Sequence, residues 1–140
     1  SDNGSDSGAK SQAITVVSRE EGSGTRDAFQ EIVGYESEEL TKDASISDGS
    51  GAVKTTVAGN KNAIGFASFE YIDDTVSALS VNDVEPTAEN VKAGDYKISR
   101  PFLLVTSKDT LTEEGQKLID FVLSSEGQQI VKDNKLITIE

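Results

Sequence analysis

The sequence predicts an α/β fold in which helices cover a mostly parallel sheet. A β-branched run stands near the start, a polar turn rich in glycine and serine follows it, and an amphipathic helical pattern follows the turn. Extended and helical patterns then keep alternating toward the C-terminus. In such folds the ligand lies at the carboxyl ends of the strands. A length of 140 residues fits one domain with a single core.

The first strand–turn–helix unit is the clearest part of this pattern. Residues 14–17 are Ile-Thr-Val-Val, which is typical of a short buried strand. An apolar stripe of a helix follows, and Gly34 is placed to end that helix in the left-handed conformation. The stripe consists of Ala28, Phe29, Ile32 and Val33.

The turn between them, Arg19–Arg26, has the composition of an oxyanion site. The first N–H groups of a helix lack internal partners and lie at the positive end of its dipole. Ser23 and Thr25 add hydroxyl donors, Gly24 lets the backbone come close to a ligand, and Arg19 supplies a planar cation. The alternative is that Ser23 merely caps the helix. Capping, however, requires neither of the flanking arginines.

The remaining elements follow from local patterns. The turn at residues 46–51 precedes a helix with Ala52, Val53, Thr56 and Val57 on one face. The serines and glycines of this turn fit helix capping better than ligand binding.

Strands are expected at residues 63–69, 76–84 and 96–107, the last with Phe102–Val105 buried on both faces. Gly65 marks a close approach of another backbone or a ligand. Helices are expected from Pro86, over 112–123 and from a capping box at Ser125–Gln128.

Composition excludes several function classes. The chain has no histidine and no cysteine, which removes the Ser-His-Asp triad, cysteine nucleophiles and thiolate metal sites. Composition leaves a Ser/Lys or paired-carboxylate hydrolase open, but no spacing of residues points to one, and we expect no enzyme, no cofactor and no metal. A net charge of −12 argues against nucleic-acid or anionic-membrane surfaces. Salt screens the repulsion between surface carboxylates and an anion beyond roughly 8–10 Å. An anion site built from local donors is therefore compatible with this negative charge. No apolar run approaches the ~20 residues that span a bilayer.

The N-terminal stretch differs from the rest. Residues 1–12 are rich in Ser, Gly and Asp and read as a flexible tether, with an α/β domain over 13–140. Such a tether suits a cell-surface lipoprotein of a Gram-positive bacterium after its lipidated cysteine, and equally an expression leader. The lipid-attachment motif and a signal peptide are not in the sequence.

Four segments, in the same order, resemble the PstS-type phosphate-binding proteins of phosphate ABC transporters. The first is Arg19–Arg26, preceded by its β-branched strand. The second segment, Val53–Phe66, is similar to the family segment that ends in Ala-Ile-Gly-Tyr. The third, Tyr96–Leu103, resembles the family stretch Tyr-Pro-x-x-Arg-Pro-Phe. The fourth, Phe121–Val131, resembles the family segment Phe-x-x-x-Ser-x-Glu-Gly-Gln. The resemblance covers nearly everything after residue 12. Departures are Lys97 in place of a proline and residues 135–138 in place of Gly-x-x-Pro.

The resemblance implies a single lobe of a type II periplasmic-binding-protein-like fold. It places Arg19, Ser23, Gly24 and Thr25 on phosphate, and Glu21 where the family has an acid that pairs with the binding arginine. It also implies an extracellular protein that delivers phosphate to the permease of an ABC transporter. Arg26 is expected on the helix surface or at a lobe contact.

The family has roughly twice this length and encloses phosphate between two lobes. The second lobe, which carries further donors and the acid expected to accept the proton of hydrogen phosphate, is not in this sequence, so the chain is expected to be either a fragment or the first part of a rearranged protein. We therefore expect phosphate binding by this chain alone to be weak or not measurable, and we expect self-association of the isolated lobe. A lobe for another oxyanion such as sulfate, or a non-binding surface or sensor domain, are the alternatives.

Overall fold

The structure is a computed structural model that describes residues 12–139. Its three-stranded sheet consists of β1 (Thr15–Arg19), β2 (Ser45–Ser47) and β3 (Ala63–Gly65). The strand order is β2-β1-β3, and both pairings are parallel. This confirms the predicted α/β class with a parallel sheet flanked by helices. The tether expected at residues 1–12 lies, apart from Gln12, outside the described residues, and the proposed domain boundary stays a prediction.

Five α-helices connect or follow the strands in the described part of the chain. They are α1 (Gly24–Val33), α2 (Ser50–Ala58), α3 (Ala88–Lys92), α4 (Glu113–Leu123) and α5 (Ser125–Asp133), with short 3-10 helices at Ser37–Glu39 and Phe69–Tyr71. The expected end of α1 is confirmed, because Gly34 adopts φ 85° and its N–H donates to the carbonyl of Gln30. No helix among the described residues has the length and apolar character needed to cross a membrane.

The central strand β1 organises the packing. Val17 on β1 and Val53 on α2 are the buried apolar side chains of residues 12–139. A Cβ added to Gly65 would lie 3.0 Å from the carbonyl oxygen of Val17 and 3.0 Å from Cγ1 of Val53. The close approach expected at Gly65 is therefore confirmed. Phe29 of α1 stacks on Phe66, directly after β3, with ring centroids 4.2 Å apart.

Two expected strands are wrong. Residues 76–84 form only an antiparallel bridge between Val81 and Val84, around a turn at Asn82 and Asp83. The segment 96–107 contains no strand, and Phe102 and Val105 are 87% and 88% exposed instead of buried. A β-rich segment becomes a strand only where a partner pairs with its backbone. The described residues offer this segment no such partner.

Further differences concern the helices and the short strands. Strand β2 was not predicted, and β3 ends at Gly65 instead of continuing to Phe69. The α5 cap is Ser124, whose hydroxyl accepts a hydrogen bond from Gly127 N, so the capping box expected at Ser125 is wrong. The apolar stripe of the helix over 112–123 predicts that Leu118 and Leu123 point inward, but both side chains are exposed.

The contact at Gly65 predicts that a side chain there is not tolerated. Gly65→Ala should lower the free energy of unfolding by about 1–2 kcal/mol, because the added methyl group presses on backbone and on Val53. Gly59→Ala is the control, since its Cβ would make ordinary contacts at 3.5 Å. Urea denaturation of both variants measures the difference, and equal stabilities would contradict this packing.

Candidate functional site

The turn between β1 and α1 presents unpaired donors at a helix start. Ser23 is the N-cap, is 5% exposed, and its Oγ accepts a hydrogen bond of 3.2 Å from Arg26 N. The amides of Gly24 and Thr25 have no hydrogen-bond partner among residues 12–139. Gly22 makes the turn with φ 82°, a conformation that favours glycine. Capping uses only an acceptor lone pair of Ser23, so its hydroxyl proton remains available to a ligand.

The Arg19 guanidinium is fixed at the carboxyl end of β1. Its Nε and one terminal nitrogen each donate to a carboxylate oxygen of Glu20 at 2.7 Å. The other terminal nitrogen donates to Ser50 Oγ at 3.1 Å. These contacts use three of the five N–H groups, so two remain for a ligand. The hydrogen bond with Glu20 raises the pKa of Arg19, and the side chain is 12% exposed.

The carboxylate that orients Arg19 is Glu20, which corrects the role assigned to Glu21. Glu21 lies exposed in the turn. In a continuing strand, successive side chains point to opposite faces, so the residue after Arg19 would not be expected to reach it. The strand ends at Arg19, however, and the turn brings Glu20 back to the guanidinium. Gly49 N also donates to this carboxylate, at 3.2 Å.

A chain of hydroxyl groups links Arg19 to Thr25. Ser50 Oγ accepts from Arg19 and from Ser68 N, the latter at 3.1 Å. Both of its lone pairs are then occupied, so its proton must point to Ser68 Oγ at 3.3 Å. Ser68 Oγ can in turn donate to Thr25 Oγ1 at 3.4 Å. This order leaves the Thr25 proton free to donate to an anion.

Ser50 and Ser68 contact the predicted site residues Arg19 and Thr25, and the sequence does not predict these contacts. The second Gly/Ser turn was interpreted mainly as a cap, but the α2 N-cap is Gly49 and no side chain caps this helix. Ser50 instead contacts Arg19. The repeated Gly/Ser turn was a usable signal for Ser50. For Ser68 the sequence offers no comparable signal, because its contact depends on how the chain leaves β3.

Arg26 does not lie on the helix surface as expected. It is 9% exposed and donates to the backbone oxygen of Arg19 at 3.2 Å and to Ser37 Oγ at 3.1 Å. Arg100, by contrast, forms an exposed ion pair with Glu31 on α1.

An open cavity of about 2100 Å³ borders the start of α1. Ser18, Gly24, Thr25 and Ser68 are among its lining residues. Ser18 Oγ is buried and has no hydrogen-bond partner in the described part of the chain. Buried hydroxyl groups normally have a partner. Glu70 Oε2, from another residue that lines this cavity, is likewise buried without a partner among the described residues, so the cavity wall holds an unpaired acceptor as well as unpaired donors.

The fold places this turn at the carboxyl end of the central strand, which is where α/β domains of this class hold their ligands. A family model described as a PBP superfamily domain matches residues 2–126, so the chain belongs to this superfamily. The sequence resemblance to phosphate-binding proteins is confirmed by the relatives below.

Two curated relatives are named phosphate-binding protein PstS 2. The one from Streptococcus agalactiae is 38% identical over 135 residues, which cover 91% of this chain and 46% of the relative. The one from Streptococcus pneumoniae is 40% identical over 134 residues, with the same shares covered. The chain thus spans about half the length of the curated relatives it matches.

This chain is also similar to a solved structure from Clostridium perfringens. It is described as a phosphate ABC transporter substrate-binding protein with bound phosphate. Its TM-score is 0.82 at 60% identity, and the match covers 91% of this chain and 52% of that chain.

The Arg19–Glu20 pair predicts a carboxyl group that stays ionised at low pH. The hydrogen bond from Arg19 lowers the pKa of Glu20 from 4.5 to about 2. Because the folded pKa lies below the unfolded one, the pair stabilises fully above the unfolded pKa and loses its effect as pH falls through about 2. Carbon-13 NMR of the Glu20 carboxyl group measures the midpoint.

Arg19→Ala should move this midpoint back toward the unfolded value. Arg100→Ala removes the same charge from an exposed pair and should leave it unchanged. A wild-type midpoint already at the ordinary value for glutamate would contradict the observed pairing.

Proposed function

We propose that this chain is the phosphate-binding lobe of an ABC importer's substrate-binding protein and holds the anion at the start of α1. The carrying observation is the pair of unpaired amides at Gly24 and Thr25, which the hydroxyl chain of Thr25, Ser68 and Ser50 connects to the Arg19 guanidinium with its two free N–H groups. Backbone amides at a helix start and a planar arginine suit a tetrahedral oxyanion. The names of the relatives support phosphate as that anion.

Each residue has a distinct role in this proposal. Arg19 donates from its guanidinium, Ser23 from its hydroxyl, Gly24 from its amide, and Thr25 from both hydroxyl and amide. Glu20 takes the orienting role expected of Glu21, since it holds the guanidinium without consuming all its donors. The site binds and releases its ligand and carries out no reaction.

The net charge of −12 does not oppose this function. Binding depends on donors within hydrogen-bond distance, whereas exposed carboxylates further away are screened by salt. The ion pairs of the described residues place Glu20 and Glu31 on arginines, which neutralises part of the charge beside α1.

The partners we propose are a second lobe of the binding protein and the permease of an ABC transporter, with an extracellular location on a Gram-positive cell surface. The exposed apolar side chains of residues 102–105 support the second lobe, because an extended apolar segment of this kind suits burial in a sheet. Closure of the second lobe would also remove water from the anion.

The isolated chain should bind phosphate weakly and at one place. Titration of the nitrogen-15-labelled protein with phosphate should shift the amide signals of Gly24 and Thr25, with a Kd in the millimolar range because half of the enclosing surface is missing. Arg19→Ala should abolish these shifts, since it removes the principal cation.

Arg100→Ala serves as the control of equal charge and should bind like the wild type. Sub-micromolar affinity of the 140-residue chain in calorimetry would contradict the need for a second lobe. Unchanged amide signals at α1 would contradict the site itself.

The exposed segment also predicts self-association of the isolated lobe. Phe102→Lys together with Val105→Lys should lower the sedimentation coefficient toward that of a monomer at high protein concentration, because both side chains are almost fully exposed. Leu79→Lys, at a separate exposed apolar position, is the control. A wild type that stays monomeric at millimolar concentration would contradict this expectation.

A further inference from the structure

Arg26 is a buried cation beside the proposed anion site. Its guanidinium donates to the Arg19 carbonyl and to Ser37 Oγ, and its backbone N–H donates to Ser23 Oγ. One residue therefore contacts both ends of the turn. Its side chain points inward from α1, where it is 9% exposed.

All the partners of this guanidinium are neutral. The ion pairs among residues 12–139 involve Arg19, Lys54, Arg100 and Lys117, and Arg26 is not among them. A buried charge without an opposite charge is costly, so buried cations are normally paired. Hydrogen bonds to a carbonyl and a hydroxyl satisfy its donors but leave its positive charge uncompensated.

We propose that Arg26 is a second cation of the anion site and that the bound anion is its counter-ion. This inference rests on the proposed function and assigns a role to a residue outside the set that touches the ligand. The guanidinium of Arg26 donates to the Arg19 carbonyl, and its backbone N–H donates to Ser23 Oγ, so the residue is held against the turn that carries the amides of Gly24 and Thr25. Coulomb attraction does not require direct contact, and it is stronger through protein than through water.

The charge of Arg26 should therefore favour doubly over singly charged anions. A residue that only shaped the turn would affect both charge states equally. Phosphate offers both states, and its second ionisation lies near neutrality. The chain has no histidine and no cysteine, so from about pH 5.5 to about pH 8.5 its side chains keep their charge while phosphate changes.

The experiment compares Arg26→Gln, Arg26→Lys and the wild type by phosphate titration of amide signals at these two pH values. Arg26→Gln should weaken binding of the dianion about tenfold and binding of the monoanion clearly less. Arg26→Lys keeps the charge and should restore most of the preference for the dianion. Arg100→Gln removes an equal charge from an exposed pair and should change neither affinity.

The outcomes separate the two proposals. If the wild type shows no phosphate-dependent shifts at α1, the proposed function fails and this inference fails with it. If the wild type binds but Arg26→Gln weakens both charge states equally, or Arg26→Lys does not restore the preference, the function stands and Arg26 is only structural.

If Arg26→Gln does not fold, the wild-type protein still allows a direct test. In the wild type, the Arg26 Nε–H signal should shift more with phosphate at the higher pH than at the lower. An unmoved Arg26 signal would overturn the proposal.

Discussion

The paired hydrogen bonds between Arg19 and Glu20 determine how the rest of the site is arranged. They hold a guanidinium at the end of the central strand, in contact with Ser50 at the start of α2. The end of β1 and the start of α2 are thereby joined through one side chain. Carboxylate–guanidinium pairs of this geometry restrict both partners strongly. The remaining N–H groups of Arg19 therefore point in fixed directions.

The same pair explains how an acidic protein can present an anion site. The Glu20 carboxylate lies beside the Arg19 guanidinium and accepts hydrogen bonds from Arg19 and from Gly49 N. These contacts compensate its negative charge locally. The donors that remain unpaired are those of Gly24 and Thr25. What the turn between β1 and α1 can bind therefore depends on its local hydrogen-bond donors, and the total charge of the protein matters less.

Much of the site was predictable from sequence because it is local. Strand β1, helix α1 and its cap all follow from consecutive residues, and the structure brings Arg19, Ser23, Gly24 and Thr25 into one turn. The family resemblance points to Glu21 as the acid that pairs with Arg19, whereas the turn after β1 brings the adjacent Glu20 back to the guanidinium. Ser68 was missed because its contact with Ser50 joins residues 18 positions apart.

The errors in the fold have a related cause. Residues 96–107 carry strong β propensity, yet strand formation depends on a neighbour that the described residues do not supply. Conversely β2, only three residues long, forms because β1 pairs with it.

The most direct test of the central claim is a crystal structure of the chain grown or soaked with phosphate. The account predicts tetrahedral density within hydrogen-bond distance of the Gly24 and Thr25 amides, with the Arg19 guanidinium still paired to Glu20 and facing it. Density elsewhere, or a guanidinium turned away from the start of α1 in the bound state, would contradict it.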